Sequence, residues 1–285
     1  MALSVLAKKN GSQTGSWFSV QVPQEDFDLA DILQCGQCFR FIRQADGSFA
    51  GVAQGRFLRV YQDGDRLYLE NTDPETFARV WAPYFDLSTD YAAIKRFLSA
   101  DPVLRRACQT VGGIRILRQD GWEATCSFIL SQNNNIPRIQ GIIDRLCRLF
   151  GEPADGPPGS YCFPTAERLA QCSPEDLAPL RAGFRVRYLL DAARKFASQE
   201  IRTSRLYHAP YPEARAELMQ ICGVGPKVAD CALLYGFART EAFPADVWIK
   251  RALAEWYPDG FPDWAKVFGG YAQQYLFHYI RTGGQ

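Results

Sequence analysis

The hydrophobic period of the chain changes once, at Asp73-Pro74, and no other feature restricts the fold as much. Upstream, Trp17 to Val22, Phe39 to Ile42, Phe57 to Tyr61 and Arg66 to Glu70 alternate apolar and polar residues, the period of half-buried strands. Gln62-Asp63-Gly64-Asp65 and Asp46-Gly47 are turn signals between short runs, which implies hairpins and an antiparallel sheet. Downstream, Phe77, Val80 and Trp81, then Tyr91, Ile94, Phe97 and Leu98, follow helical spacing. The expected class is therefore α+β, with a sheet domain in front of a mostly helical part and no βαβ alternation. We place the sheet domain, with short helices, over residues 1–105 and the helical domain over 106–285.

Within the helical part, Trp122 to Leu130 reads as a helix ending in the polar run Ser131-Gln132-Asn133-Asn134-Asn135. Pro137 opens the next one in its first turn, where a missing N–H costs nothing. Ile139, Ile142, Ile143, Leu146 and Leu149 form its buried stripe, and Gly151 closes it before a Pro/Gly-rich loop over 153–164. Further helices are expected over 166–171, 174–180, 185–199, 212–221, 226–237, 246–255 and 264–281.

Bulk properties exclude more than they assign. Apolar residues make up 47% and charged residues 22% of the 285, an ordinary globular profile, and no stretch approaches the roughly 18 uninterrupted apolar residues of a membrane span. Lys8 and Lys9 follow the mildly apolar Met1 to Ala7 instead of preceding it, the wrong order for a signal peptide. The expected compartment is cytoplasmic, at the nucleoid in a bacterium. The net charge of +1 gives no licence for a nucleic-acid partner, so local groups must do any such binding. The nine cysteines, an odd count, point to reduced thiols. Cys35-Gly36-Gln37-Cys38 lacks a second ligand pair for zinc and a βαβ setting for redox work, and reads as a tight loop.

The chemistry concentrates in Leu218-Met219-Gln220-Ile221-Cys222-Gly223-Val224-Gly225-Pro226-Lys227-Val228-Ala229-Asp230-Cys231. A helix runs into Gly223-Val224-Gly225 and a second helix starts at once, a hairpin over about 212–237. Its bare N–H groups and the following helix N-terminus make an anion site, although a lone Gly-x-Gly is equally a plain helix stop. Lys227, beside that N-terminus and an apolar wall, has the surroundings of an amine nucleophile. Asp246 follows Phe243-Pro244-Ala245 at a helix N-cap, where capping is the plain alternative to a chemical role.

This hairpin, with an aspartate nineteen residues after the lysine, resembles the helix-hairpin-helix DNA glycosylase superfamily. Ser127 to Ile139, Leu117-Arg118-Gln119-Asp120 and Gly36-Gln37-Cys38-Phe39-Arg40 resemble the 8-oxoguanine DNA glycosylases within it, over roughly residues 15–280. The resemblance implies an N-glycosylase with abasic-site lyase activity, acting on duplex DNA that carries an oxidised purine. It needs no cofactor and no metal. A monomer is the default expectation, since nothing in the sequence resembles an interface motif. Lys227 matches the lysine that attacks C1′, and Asp246 the carboxylate that stabilises the positive charge developing on the sugar.

Gly36 matches the glycine whose carbonyl reads the N7–H of the oxidised base, the plain alternative being a bulge or turn. Cys231 and Phe277 match the pair that sandwiches the base. Gln273 matches the group on its Watson–Crick edge, with Gln274 the choice if the register shifts by one. Asn133 matches the side chain that fills the vacated space, and Arg138 and Arg185 those that hold the orphaned cytosine. Phe184 stands where the family usually has tyrosine as a wedge; alone it would read as core. Gly223, Gly225, Val228 and Trp248 are the implied strand contacts, Trp248 in a position that is histidine in animal enzymes. The tail after Cys231 has no cysteine, so the iron–sulfur loop of other superfamily branches is absent. Two alternatives stay open: a helix-hairpin-helix protein that binds lesions without chemistry, and an alkylbase glycosylase using the aspartate alone.

Overall fold

The computed structural model describes residues 3–6 and 16–283. Lys8 and Lys9, on which the signal-peptide argument turned, lie outside them. Six antiparallel strands form one sheet in the order β1-β2-β6-β5-β4-β3: Leu3–Leu6 (β1), Trp17–Gln21 (β2), Ile42–Arg43 (β3), Phe49–Ala53 (β4), Arg56–Asp63 (β5) and Arg66–Glu70 (β6). Register follows from alternation: Phe18 faces Leu69, Leu69 faces Val60 and Val20 faces Leu67, which gathers the apolar row on one face. The turns have the residues they need. Gly47 and Gly64 take φ of +85° and +54°, and the Gln54-Gly55 turn between β4 and β5 is left-handed at both positions, with φ of +53° and +70°.

Leu29–Gln34 (α1) crosses between β2 and β3. After the sheet, Pro74–Thr76 (α2) and Ala82–Tyr84 (α3) flank a π-helical stretch over Phe77–Trp81. Phe77, Trp81, Tyr84 and Phe85 close the sheet's apolar face into a first core. The helical part continues through Tyr91–Leu98 (α4), Pro102–Thr110 (α5), Gly121–Ser131 (α6), Ile136–Phe150 (α7) and Ala166–Ala170 (α8). Arg185–Ala197 (α9), Thr203–His208 (α10), Tyr211–Leu218 (α11), Pro226–Gly236 (α12), Val247–Trp256 (α13) and Gly269–Arg281 (α14) complete it. These helices share a second, larger core.

Side-chain caps fix where many of the helices start. Asp28, Asp90, Asp101, Asp120, Asn135, Thr165 and Asp246 each accept a backbone N–H of their own first turn. Each such cap contributes about 1 kcal/mol. The α6–α12 contact is the most extensive between any two described elements. It requires glycine: a Cβ at Gly236 would lie 2.9 Å from the Gly121 Cα, and one at Gly121 would lie 2.4 Å from the Phe237 ring.

The expected strand over Phe39 to Ile42 is corrected to a two-residue strand, Ile42–Arg43, preceded by irregular backbone. Phe39 and Phe41 go to different cores, which pulls the chain out of a ladder. Residues 174–180 form turns and a short 3-10 helix, Ala178–Leu180, not a helix throughout. Residues 264–281 divide into a 3-10 helix, Asp263–Phe268, and α14.

The loop after α1 is anchored to the helical part. The Gln37 amide donates to the carbonyls of Ile32 (2.9 Å) and Arg115 (2.7 Å) and accepts from Leu117 N at 2.8 Å. Arg40 bonds the Tyr161 carbonyl and pairs with Glu123 on α6 at 3.4 Å. Burial pushes the Glu123 carboxyl up to about 6, with Arg40 opposing the rise. The folded chain therefore binds more protons than the unfolded chain between about pH 4.5 and 6, and stability falls as pH rises through that window. Urea unfolding should show wild type losing about 2 kcal/mol relative to Glu123→Gln across that range. Parallel curves for the two proteins would contradict this.

Candidate active site

The hairpin joins α11 to α12. Gly223 has φ of +74°, and a Cβ there would lie 2.3 Å from the Tyr188 ring. Gly225 has an ordinary φ of −95°, and a Cβ on it would meet nothing within 4 Å. The two glycines thus answer different demands: the first is required by the fold, the second leaves open space. Cys222 N donates to Asp191 Oδ2 at 2.7 Å, and Val224 N to the Ile221 carbonyl at 3.0 Å. The N–H groups of Gly223, Gly225 and Lys227 donate to no group among the described residues. Three free donors beside a helix N-terminus suit an anion.

Lys227 is the second residue of α12, with Cys231 and Tyr235 one and two turns further along the same face. Its Nζ lies 5.6 Å from the centre of the Phe128 ring on α6. That ring stacks on Tyr235 at 5.2 Å and meets Phe39 edge-on at 5.9 Å. An aromatic column therefore runs from the sheet domain's loop to the lysine. Burial pushes the Cys231 thiol up to about 11, while the hydrogen-bonding Lys227 ammonium opposes that rise. Lys227 forms no ion pair within 4 Å among the described residues. Asp246 caps α13, accepting Ile249 N at 2.9 Å, and its charge acts on both Cys231 and Tyr235. Capping and proximity to the lysine face thus coexist in one carboxylate.

Gly36 brings a second wall. Its φ is +90°, and a Cβ there would lie 3.6 Å from Ile136 Cδ1 and 3.8 Å from Arg281 Nη1. The carbonyls on either side are occupied: Cys35 O accepts from Arg281 Nη1 at 3.1 Å and Gln37 O from Gln119 Nε2 at 2.7 Å. The Gly36 carbonyl accepts no bond from any described residue. On α14, Gln273 is buried with an Oε1 that has no partner among the described residues, whereas Gln274 is bonded at both ends of its amide. Phe277, one turn after Gln273, is half-buried beneath the Arg281 guanidinium at 5.1 Å.

The remaining expected residues lie around the turn after α6. Asn133 is exposed with φ of +46°. Arg185 is buried and donates to the carbonyls of Gln132, Asn133 (2.7 Å) and Ala182 (3.1 Å), so it grips the Asn133 turn. Its guanidinium also lies 4.4 Å over the Phe184 ring, which is 48% exposed. Arg138 is exposed and reaches the Arg181 carbonyl at 3.4 Å. Trp248 stands 39% exposed at the start of α13. Val228 is turned into the core, and its N–H donates to the Gly225 carbonyl at 3.1 Å. Sequence reasoning missed Phe128, Tyr235 and Arg281. Two of them left a signal, the fourfold spacings Lys227, Cys231, Tyr235 and Gln273, Phe277, Arg281, each along one helix.

The fold and this site together define a helix-hairpin-helix base-excision class. Residues 19–125 match the model of the 8-oxoguanine DNA glycosylase N-terminal domain, and residues 126–261 that of the HhH-GPD superfamily of base excision DNA repair proteins. A probable N-glycosylase/DNA lyase of Methanothermobacter thermautotrophicus is 34% identical over 93% of this chain and 97% of its own. The structure of MBOgg1 with a low-affinity DNA ligand is 41% identical, TM-score 0.88, with both chains covered completely. The Clostridium acetobutylicum 8-oxoguanine glycosylase/lyase, solved with double-stranded DNA containing cytosine opposite 8-oxoG, is 34% identical with a TM-score of 0.87, covering 100% of this chain and 99% of that one. The chain belongs to the 8-oxoguanine DNA glycosylase family.

The two hairpin glycines generate a paired prediction. Gly223→Ala should lose about 1–3 kcal/mol in urea unfolding, because the methyl group overlaps the Tyr188 ring at a left-handed position. Gly225→Ala should stay within about 0.5 kcal/mol of wild type. Equal losses at the two positions would contradict the different reasons assigned to them.

Proposed function

We propose that this chain is a bifunctional DNA repair glycosylase that excises 8-oxoguanine from duplex DNA and nicks the strand at the resulting abasic site. The observation that carries the lysine mechanism is the setting of Lys227. Its amine has no ion-pair partner among the described residues, stands at the N-terminal end of α12 over the Phe128 ring, and shares its face with the Asp246-influenced Cys231. A recognition module without chemistry has no use for an amine and a capped carboxylate in that arrangement.

The chemistry follows from the groups present. The damaged base leaves the stack at a cost of a few kcal/mol. Lys227 Nζ gives up a proton and its lone pair forms a bond to C1′ as the glycosidic bond breaks; the electrons of the broken bond leave with the base, which takes up a proton. Asp246 offsets the positive charge that grows on the sugar in that step. The sugar ring opens to a Schiff base. Loss of a C2′ proton then expels the 3′ phosphate, and water hydrolyses the imine to return the amine. No external oxidant or reductant enters.

Lesion reading falls to the Gly36 carbonyl, whose freedom between two bonded neighbours suits an acceptor for N7–H. The unpartnered Gln273 Oε1 supports Gln273, not Gln274, as the group on the Watson–Crick edge. Cys231 and Phe277 enclose the base. Asn133 fills the vacated stack and Phe184 acts as the wedge. Arg138, exposed beside that turn, is the arginine with donors to offer the orphaned cytosine. Arg185 does most of its work by holding the Asn133 turn. The hairpin N–H groups and Trp248 take the phosphates. No helix among the described residues is long and apolar enough to cross a membrane, and we place the enzyme with chromosomal DNA in the cytoplasm.

Single-turnover assays on a duplex with one 8-oxoguanine opposite cytosine test this. Lys227→Gln should lose base release and nicking together, by at least about a thousandfold. Asp246→Asn keeps a capping side chain and should slow base release by about a hundredfold to a thousandfold with binding intact. Base release by Lys227→Gln near the wild-type rate would instead point to a water nucleophile.

A further inference from the structure

Gln274 is buried on α14 beside Gln273, and its amide is fixed at both ends. Its Oε1 accepts the Tyr235 hydroxyl at 2.5 Å, and its Nε2 donates to Cys35 Sγ at 3.1 Å. The thiol in turn donates to the Ile32 carbonyl at 3.4 Å. Burial holds the Tyr235 phenol well above its usual range and the Cys35 thiol at about 11, so both keep their protons at neutral pH. The phenol thus donates to the amide oxygen, the amide nitrogen to the thiol and the thiol to the Ile32 carbonyl. The relay starts on the helix of Lys227, crosses the helix of Gln273 and Phe277, and ends at the residue before Gly36.

A second bond from the same helix, Arg281 Nη1 to the Cys35 carbonyl at 3.1 Å, holds the peptide on the other side of the thiol. Cys35 is thus gripped by α14 through both side chain and backbone, and Gly36 follows it with φ of +90°. The Gly36 carbonyl direction is set by the residues on either side of it, the anchored Gln37 after it and Cys35, held by α14, before it.

We infer that Gln274 is a positioning residue for lesion discrimination: by tethering the Cys35 thiol to α14 it aims the Gly36 carbonyl at the base pocket. This rests on the reading of Gly36 given above. The tether also links the loop that reads the base to the helix that carries Lys227.

The test uses equilibrium binding in the non-cleaving Lys227→Gln background, comparing duplexes with 8-oxoguanine and with guanine opposite cytosine. The quantity read is the ratio of the two Kd values. Gln274→Met has similar volume but cannot bond the thiol or the phenol, and should lower that preference about tenfold. Affinity for the guanine duplex should stay within about twofold. Cys35→Ser retains an acceptor for the Gln274 amide and should keep most of the preference, whereas Cys35→Ala should match Gln274→Met. With Lys227 intact, Gln274→Met should still nick a preformed abasic site at close to the wild-type rate, because that step needs no base reading.

An unchanged preference in Gln274→Met would overturn the inference, as would equal loss in Cys35→Ser and Cys35→Ala. A matching loss of abasic-site nicking would show a structural role only. If the parent showed no preference for the oxidised base, the reading of Gly36 itself would fail, whatever the variants did. Should Gln274→Met not fold, the two Cys35 variants decide the matter.

Discussion

The contact between α6 and α12 fixes the geometry on which the site depends. The Gly121 and Gly236 backbones approach so closely that neither tolerates a methyl group, and Phe237 seals the gap. One end of α6 leads into the Asn133 turn, and the start of α12 carries Lys227. Phe128 and Tyr235 then stack across the pair, which sets the lysine over an aromatic face. Interiors packed this densely transmit displacement instead of absorbing it, so a shift here moves the amine and the Asn133 turn together.

The sheet domain supplies the other wall through a single loop. Gln37 joins it to the segment before α6, Arg40 to Glu123 on α6, and Cys35 to α14. Buried polar groups are costly when unpaired, and along this loop nearly all of them are paired. Among the described residues, the Gly36 carbonyl of this loop and the buried Gln273 Oε1 on α14 accept no hydrogen bond. Two such acceptors are what a hydrogen-bond-donating base edge would satisfy.

Much of the fold was legible because local and global signals agree. Alternation with Gly-containing turns marked β2, β5 and β6, and the stripe from Ile139 to Leu149 with Pro137 at its head marked α7, although Leu149 itself is exposed near the helix end. The misses have physical reasons. Phe39 and Phe41 alternate like a strand but serve two cores, so burial overrides pairing. Asp28 and Asp101-Pro102 were start signals for α1 and α5, but short helices carry too few periodic positions to stand out. In the site, Lys227 and Asp246 were legible because the hairpin spacing is local. The partners Phe128, Tyr235 and Arg281 belong to a surface that exists only when α6, α12 and α14 meet. The difference between Gln273 and Gln274 is likewise invisible to periodicity, since Tyr235 and Cys35 engage Gln274 from other elements.

The central claim is that one amine, on Lys227, carries the reaction. Peptide mapping of the borohydride-trapped complex with an 8-oxoguanine duplex addresses it most directly. The account expects the reduced sugar remnant on Lys227 and nowhere else. A remnant on Lys250, on any other lysine or on the amino terminus would contradict it.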